Sequence, residues 1–258
     1  MYTFPFGTPI TPVRQQDRTP KRVFVLGVYA SAVHARWTRD GKTVVAALAV
    51  ASEPRIFWRG ERDEAARIIE GISLSDGAGE LEPASDGFNG PSGQALDECF
   101  LEPLKLNRMQ TWLCDLLPES RCNDSQREAL KRYDARRADL MLPPYDFPSV
   151  PDELASPERV AEIEAEIATA QPDIIITLGD KPLRHFTKAY GSKATLAAYG
   201  ESLDVYGRLH EIQIAGRTLE LLPLVHPRQA ARLGIHSKEW ADRHERWAEQ
   251  VAPTLLTL

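Results

Sequence analysis

The sequence predicts an α/β domain of three layers, with a central four-stranded parallel sheet between two layers of helices. Two observations carry this. Short apolar runs rich in β-branched residues recur at RVFVLGV (22–28), QTWLCDLL (110–117), IIITLG (174–179) and LLPLVHP (221–227). Runs without polar alternation fit strands covered on both faces. Segments with helical signals separate them, and alternating strands and helices imply a parallel sheet.

In chain order, residues 1–20 hold four prolines and little periodicity. They read as an extended N-terminal arm ahead of one domain over residues 21–258. The first strand ends near Gly27. TVVAALAV (43–50) is a further apolar run, and Arg55 to Trp58 has the length of another short strand. Asp63 to Ile72 reads as a helix, and residues 73–93, rich in Gly, Ser, Asp and Pro, as a long loop. Gln94 to Leu104 places Leu96, Phe100, Leu101 and Leu104 on one side of a helix. Pro118 stops the next strand, and Asp124 to Leu140 is charged and helical, capped by Asp124 or Ser125. Ser156-Pro157-Glu158 starts another helix, with a capping serine and proline in the first turn. Lys181 to Tyr190 is helical. Glu211 to Ala215 and Thr218 to Leu222 flank Gly216-Arg217 as a hairpin. A basic amphipathic helix closes the chain.

The chain has 258 residues, enough to bury a core without a metal or disulfide staple. No apolar run is long enough to span a membrane, and the first residues lack the pattern of a secretory signal. Three cysteines, Cys99, Cys114 and Cys122, point to free thiols in a reducing cytoplasm. Their spacing offers no metal site, and no cofactor is expected. The net charge of −6 argues against a nonspecific nucleic-acid coat. It leaves room for a local basic face at Arg121 to Arg137 or Arg228 to Arg246.

In parallel sheets the binding crevice lies outside the carboxyl ends of the strands. The residues of interest therefore follow each strand: Gly27 to His34, Cys114 to Asn123, Gly179 to Pro182 and His226 to Arg232. Asp115 could activate water or bind a cation, or serve as a buried capping acid. Ser31 with His34 invites a hydrolase reading, but no GxSxG elbow accompanies them.

The order of these blocks resembles the uracil-DNA glycosylase superfamily, nearest its thermophile-type branch, from about Arg22 to Trp247. VLGVYAS (25–31) stands where that family has its first motif. GFNGPSGQALDECF (87–100) is similar to its glycine-punctuated entry into a helix, and TWLCDLLP (111–118) to the strand after it. PERVAEIEAEIATAQPDIIITLGDKPLRHF (157–186) carries the helix, turn, strand and helix. LLPLVHPRQAARLG (221–234) matches the His-Pro motif. The resemblance implies a glycosylase-like fold and activity, with two departures. Val28 and Tyr29 stand where the family has a water-activating acid or asparagine, and neither is a base at neutral pH. Trp112 stands where an asparagine reads the base, and an indole only donates. The cluster cysteines of the thermophile-type branch are absent as well. Phe88 matches the ring that stacks on an extruded base, and His226 the donor to its carbonyl oxygen.

These positions set the expectations. Catalysis falls to His226, with Asp115 in place of the missing acid. Gly27, Tyr29, Ser31, His34, Phe88, Asn89, Trp112 and Asn123 line a base or ligand pocket. Arg228, Arg232 and Lys238 meet nucleic acid. The implied partners are DNA or single-stranded nucleic acid, or a small-molecule base or nucleotide, and no membrane. Three functions stand open: a divergent glycosylase acting on a damaged or modified base, a noncatalytic nucleic-acid or nucleotide binding module, and a small-molecule hydrolase.

Overall fold

The structure, a computed structural model, describes residues 1–233 and 237–256. Its elements run β1 (Val23–Tyr29), β2 (Ala32–Arg39), β3 (Lys42–Ser52), α1 (Arg62–Glu70), β4 (Glu80–Pro83), α2 (Pro91–Ala95), β5 (Thr111–Leu117), α3 (Asp124–Arg137), α4 (Pro157–Ala170), β6 (Ile174–Leu178), α5 (Asp180–His185), β7 (His210–Ile214), β8 (Arg217–Leu224), α6 (Pro227–Ala230), α7 (Lys238–Gln250) and α8 (Ala252–Leu255). A wide π-type turn over Leu96–Leu101 continues α2. Among the described residues, no helix is long and apolar enough to cross a membrane.

The chain divides into two compact units. One holds Met1–Val13, Tyr29–Pro91 and Pro118–Asp152; the other holds Arg14–Val28, Ser92–Leu117 and Glu153–Leu258.

The second unit carries the α/β sheet, with strand order β5-β1-β6-β8-β7. β1 pairs with β6, and β6 with β8, in parallel. β7 pairs with β8 antiparallel. The sheet is therefore five-stranded and mixed, and the expected four-stranded parallel sheet is corrected by one strand. The physical reason is the turn at Ala215 and Gly216, both at positive φ (50° and 77°). Two such residues make a tight hairpin turn whose twist matches the flanking strands, so β7 adds to the sheet edge. β6 is buried throughout, as a strand covered on both faces should be. α4 opens as its sequence dictates: the Ser156 hydroxyl accepts from the Arg159 N–H at 3.3 Å, and Pro157 fills the first position.

The first unit is built on a separate antiparallel sheet, β3-β2-β4. The run at 43–50 thus forms a strand of this smaller sheet rather than of the α/β sheet. The stretch from Ser31 to His34, expected as loop, already lies mostly in β2. Arg55 to Trp58 forms a turn, and β4 interrupts the expected loop 73–93. Phe4, Phe6 and Ile10 are buried in this unit's core with Trp37, Leu48, Trp58 and Tyr133. The first residues are thus core-forming as well as extended. The Phe6 ring meets Trp37 and Tyr133 edge-on, with centroids 5.5 and 5.1 Å away.

Candidate functional site

The second unit concentrates chemistry where β8 ends. β8 delivers His226, and Pro227 starts α6 directly after it. The backbone N–H of Arg228 donates to His226 Nδ1 at 3.2 Å. An Nδ1 that accepts carries no proton, so the neutral ring holds its proton on Nε2. Desolvation by the surrounding chain, with the Arg228 and Lys181 charges, pushes the imidazole down to about 4. At neutral pH His226 is therefore an uncharged ring with an Nε2–H donor, and that nitrogen has no hydrogen-bond partner among the described residues. Gly179, after β6, packs against this turn. It sits at φ 89°, and a Cβ there would come within 3.3 Å of the His226 Cβ. Its N–H reaches the Leu224 carbonyl at 2.7 Å, so the ends of β6 and β8 are tied together beside the histidine.

β5 separates two residues that the sequence reading placed in one pocket. Trp112 is fully buried; its indole donates to Glu166 of α4 at 2.9 Å and lies parallel to Phe24. Cys114 shares that face and accepts from the Arg159 guanidinium at 3.1 Å; burial pushes its thiol well above the usual range. Successive strand side chains alternate, so Asp115 stands on the opposite face, only 4% exposed. Trp112 and Asp115 therefore cannot face one pocket. The Asp115 carbonyl is held by Arg159 at 2.7 Å, which fixes the end of β5. Gly27 lies buried within β1.

The three expected nucleic-acid contacts differ among themselves. Arg228 is exposed and makes no ion pair among the described residues. Lys238 begins α7 and is exposed. Arg232 turns back at φ 56° and pairs with Asp242 and with Glu245 of α7. Its charge is already answered within the protein, which weakens its place in the expected contact face. On α5, Lys181 and Arg184 are exposed three residues apart. Their charges both lower His185 after desolvation, while those of Arg228 and Lys181 lower His226. Gly234, the last residue of the His-Pro block, lies outside the described residues.

In the first unit the expected pocket residues are largely occupied by backbone. Asn89 is buried; its Oδ1 accepts from the His34 N–H at 2.7 Å and its Nδ2 donates to the His34 carbonyl at 3.0 Å. It acts as a surrogate strand residue against β2. Asn123 caps α3, accepting from the Gln126 N–H at 3.0 Å. Ser31 donates its N–H to Glu53 at 3.1 Å, and its carbonyl accepts from the Ser120 hydroxyl. Tyr29 ends β1, partly exposed. Phe88 differs from all of these, with 46% of its surface in solvent. Its loop is pinned beside it: a Cβ on Gly60 would meet the Asn89 carbonyl oxygen at 2.1 Å. Only glycine permits that crossing.

Sequence reasoning missed several residues. Glu53 is buried and accepts from the Ser31 and Trp58 amides. Tyr206 and His244 are buried around the strand that leads to His226. Lys181 lay inside the marked segment Gly179 to Pro182 but without a role, and its charge acts on His226. The one local signal was Gly-Asp-Lys after β6, which the crevice rule already marked.

Two comparisons bear on this arrangement. The model of the family described as the uracil DNA glycosylase superfamily matches residues 60–249. No curated protein matches the chain.

Proposed function

The chain belongs to the uracil DNA glycosylase superfamily, and from that premise we propose a divergent base-excision glycosylase, nearest the thermophile-type branch, in which His226 donates to the leaving base. The observation that carries this is the Arg228 N–H bonded to His226 Nδ1, from which the ring proton is placed on Nε2. When the C1′–N bond breaks, its electron pair moves onto the base and charge collects on a carbonyl oxygen. A fixed, neutral N–H donor at that oxygen stabilises the transition state without competing for a proton. The acceptor bond at Nδ1 and the suppressed ring basicity support that role.

Water must then add to C1′ and release a proton. Val28 is apolar and buried, so we assign that proton to the Asp115 carboxylate, within β5 of the same sheet. Trp112 has no part in base reading here, because its indole is committed to Glu166. We place the DNA contact on Arg228 and Lys238, extended by Lys181, and leave Arg232 out. A noncatalytic binding module is the second reading, favoured by the buried valine at the acid's place. The family match lends no support to a small-molecule hydrolase.

The experiment is base release, read as formation of an abasic site, on single- and double-stranded oligonucleotides carrying uracil, hypoxanthine or xanthine. The proposal expects slow excision of at least one base, weak on uracil. His226→Leu should lower the rate by roughly 100- to 1000-fold, the cost of one lost charge-stabilising donor. Asp115→Asn should lower it by roughly 100- to 10,000-fold. Binding without excision selects the second reading. Vigorous uracil excision unchanged in Asp115→Asn would overturn the assignment of the acid.

A further inference from the structure

Val225 immediately precedes His226 and follows the last residue of β8. Its N–H lies beyond the strand ladder and is fully buried, so it needs an acceptor. It donates to the Tyr206 hydroxyl at 3.1 Å. That oxygen lies 2.8 Å from His244 Nδ1, and His244 Nε2 lies 2.9 Å from the Cys99 carbonyl. Donor directions follow without ambiguity for a neutral ring. A carbonyl only accepts, so His244 Nε2 carries the proton, Nδ1 accepts, and the Tyr206 hydroxyl donates to it.

The far end of this chain is available for a local reason. The Glu102 N–H reaches back to Asp97 and the Leu104 N–H to Phe100, with Pro103 between them lacking an N–H. No helical donor is left for the Cys99 carbonyl, and His244 takes its place. Packing holds the relay rigid. Tyr206 and His244 are 2% and 1% exposed. His244 lies against Phe100 and Trp247, centroids 4.4 and 5.1 Å away. Trp247 Nε1 donates to the Gly207 carbonyl at 3.0 Å, next to Tyr206. None of these groups is part of the donor itself.

We propose that Tyr206 and His244 are positioning residues for His226: through the Val225 amide they fix the backbone that aims its ring. The proposal rests on the reading of His226 as donor to the leaving base. A small error in placing such a donor costs rate disproportionately, up to about 100-fold for 1 Å.

The test compares Tyr206→Phe, His244→Leu and His244→Gln, all within the full chain. Glutamine retains a donor for Cys99 and an acceptor for Tyr206. Three readouts are followed: hydrogen exchange at the Val225 amide, the ¹⁵N shifts of the His226 ring, and kcat against KM on the best excised base. Tyr206→Phe and His244→Leu should speed Val225 exchange at least 10-fold and mix the His226 tautomers. They should also lower kcat by roughly 10- to 100-fold with KM little changed. His244→Gln should recover most of each effect. Unchanged Val225 exchange and His226 shifts in a folded Tyr206→Phe variant would overturn the proposal. So would equal losses in His244→Gln and His244→Leu. If the wild type excises no base, the donor reading fails by itself, and the exchange and ring shifts still decide whether the relay positions His226.

Discussion

Asn89 in the first unit and His226 in the second are both polar side chains in tight turns, and both bond to backbone. They end in opposite states. Asn89 spends donor and acceptor on one residue, His34, and is closed within its unit. His226 spends only Nδ1, on the Arg228 N–H, and keeps Nε2–H. Phe88 and Asn89 repeat the contrast inside one loop, since the amide is buried and the ring beside it exposed. A polar residue in a loop at a strand end is therefore a weak sign of function until its bonds are counted. What distinguishes a reactive position is a group held in place by one bond with another left over.

The largest effect that would sharpen this contrast concerns Arg159, which has nothing left over. It is buried and bonds Leu116, Asp115, Cys114, Glu162 and Glu166. Arg159→Leu leaves Glu166 buried without that cation and frees the end of β5. We expect a loss of about 3–5 kcal/mol in urea unfolding. A loss under about 1 kcal/mol would mean that β5 is held by other means.

Next is the pH dependence of stability through His244. Burial holds its folded pKa at about 4, below its ordinary 6.5. Between these values the unfolded chain binds the extra proton. Its contribution to stability is thus complete above pH 6.5 and declines as pH falls to 4, by about 3 kcal/mol in all. Unfolding curves at pH 7 and pH 4.5 should therefore differ more in the wild type than in His244→Gln. An equal pH slope in both would contradict the buried neutral imidazole.

Asn89→Leu should cost about 1–3 kcal/mol by removing the acceptor that the His34 N–H uses, while the His34 carbonyl keeps the Ala84 N–H. Differential scanning calorimetry checks it, and an unchanged melting temperature would remove the contrast with His226. The smallest expected effect separates two arginines. Arg228→Ala should reduce the log–log salt slope of DNA binding by about 0.9. Arg232→Ala should leave it nearly unchanged, because Asp242 and Glu245 already answer that charge. Equal effects would return Arg232 to the contact face.

How far the sequence reaches follows the same division. Four strands of the α/β sheet and the cap of α4 rest on local chemistry, β-branched runs and a Ser-Pro start, and they read directly from the chain. The small antiparallel sheet did not. Its β3 is an unbroken apolar run, indistinguishable from a parallel strand, and its β4 is four residues ending in Pro83 within a glycine-rich stretch. Phe4 and Phe6 join a core without any periodicity to announce them. For the site, His226 was legible from its strand and the following proline. The opposed faces of Trp112 and Asp115 follow from strand alternation, but which face α4 covers does not. The Arg232 pairs depend on carboxylates ten and thirteen residues away, brought close by a backbone turn at positive φ.

The protonation of His226 decides whether its ring can donate to a leaving base. Two-dimensional ¹⁵N spectra of the imidazole, titrated from pH 8 to pH 3.5, report tautomer and pKa together. We expect a neutral ring protonated at Nε2 across the neutral range, gaining a second proton only near pH 4. A ring that titrates near 6.5, or that carries its neutral proton on Nδ1, would contradict that expectation.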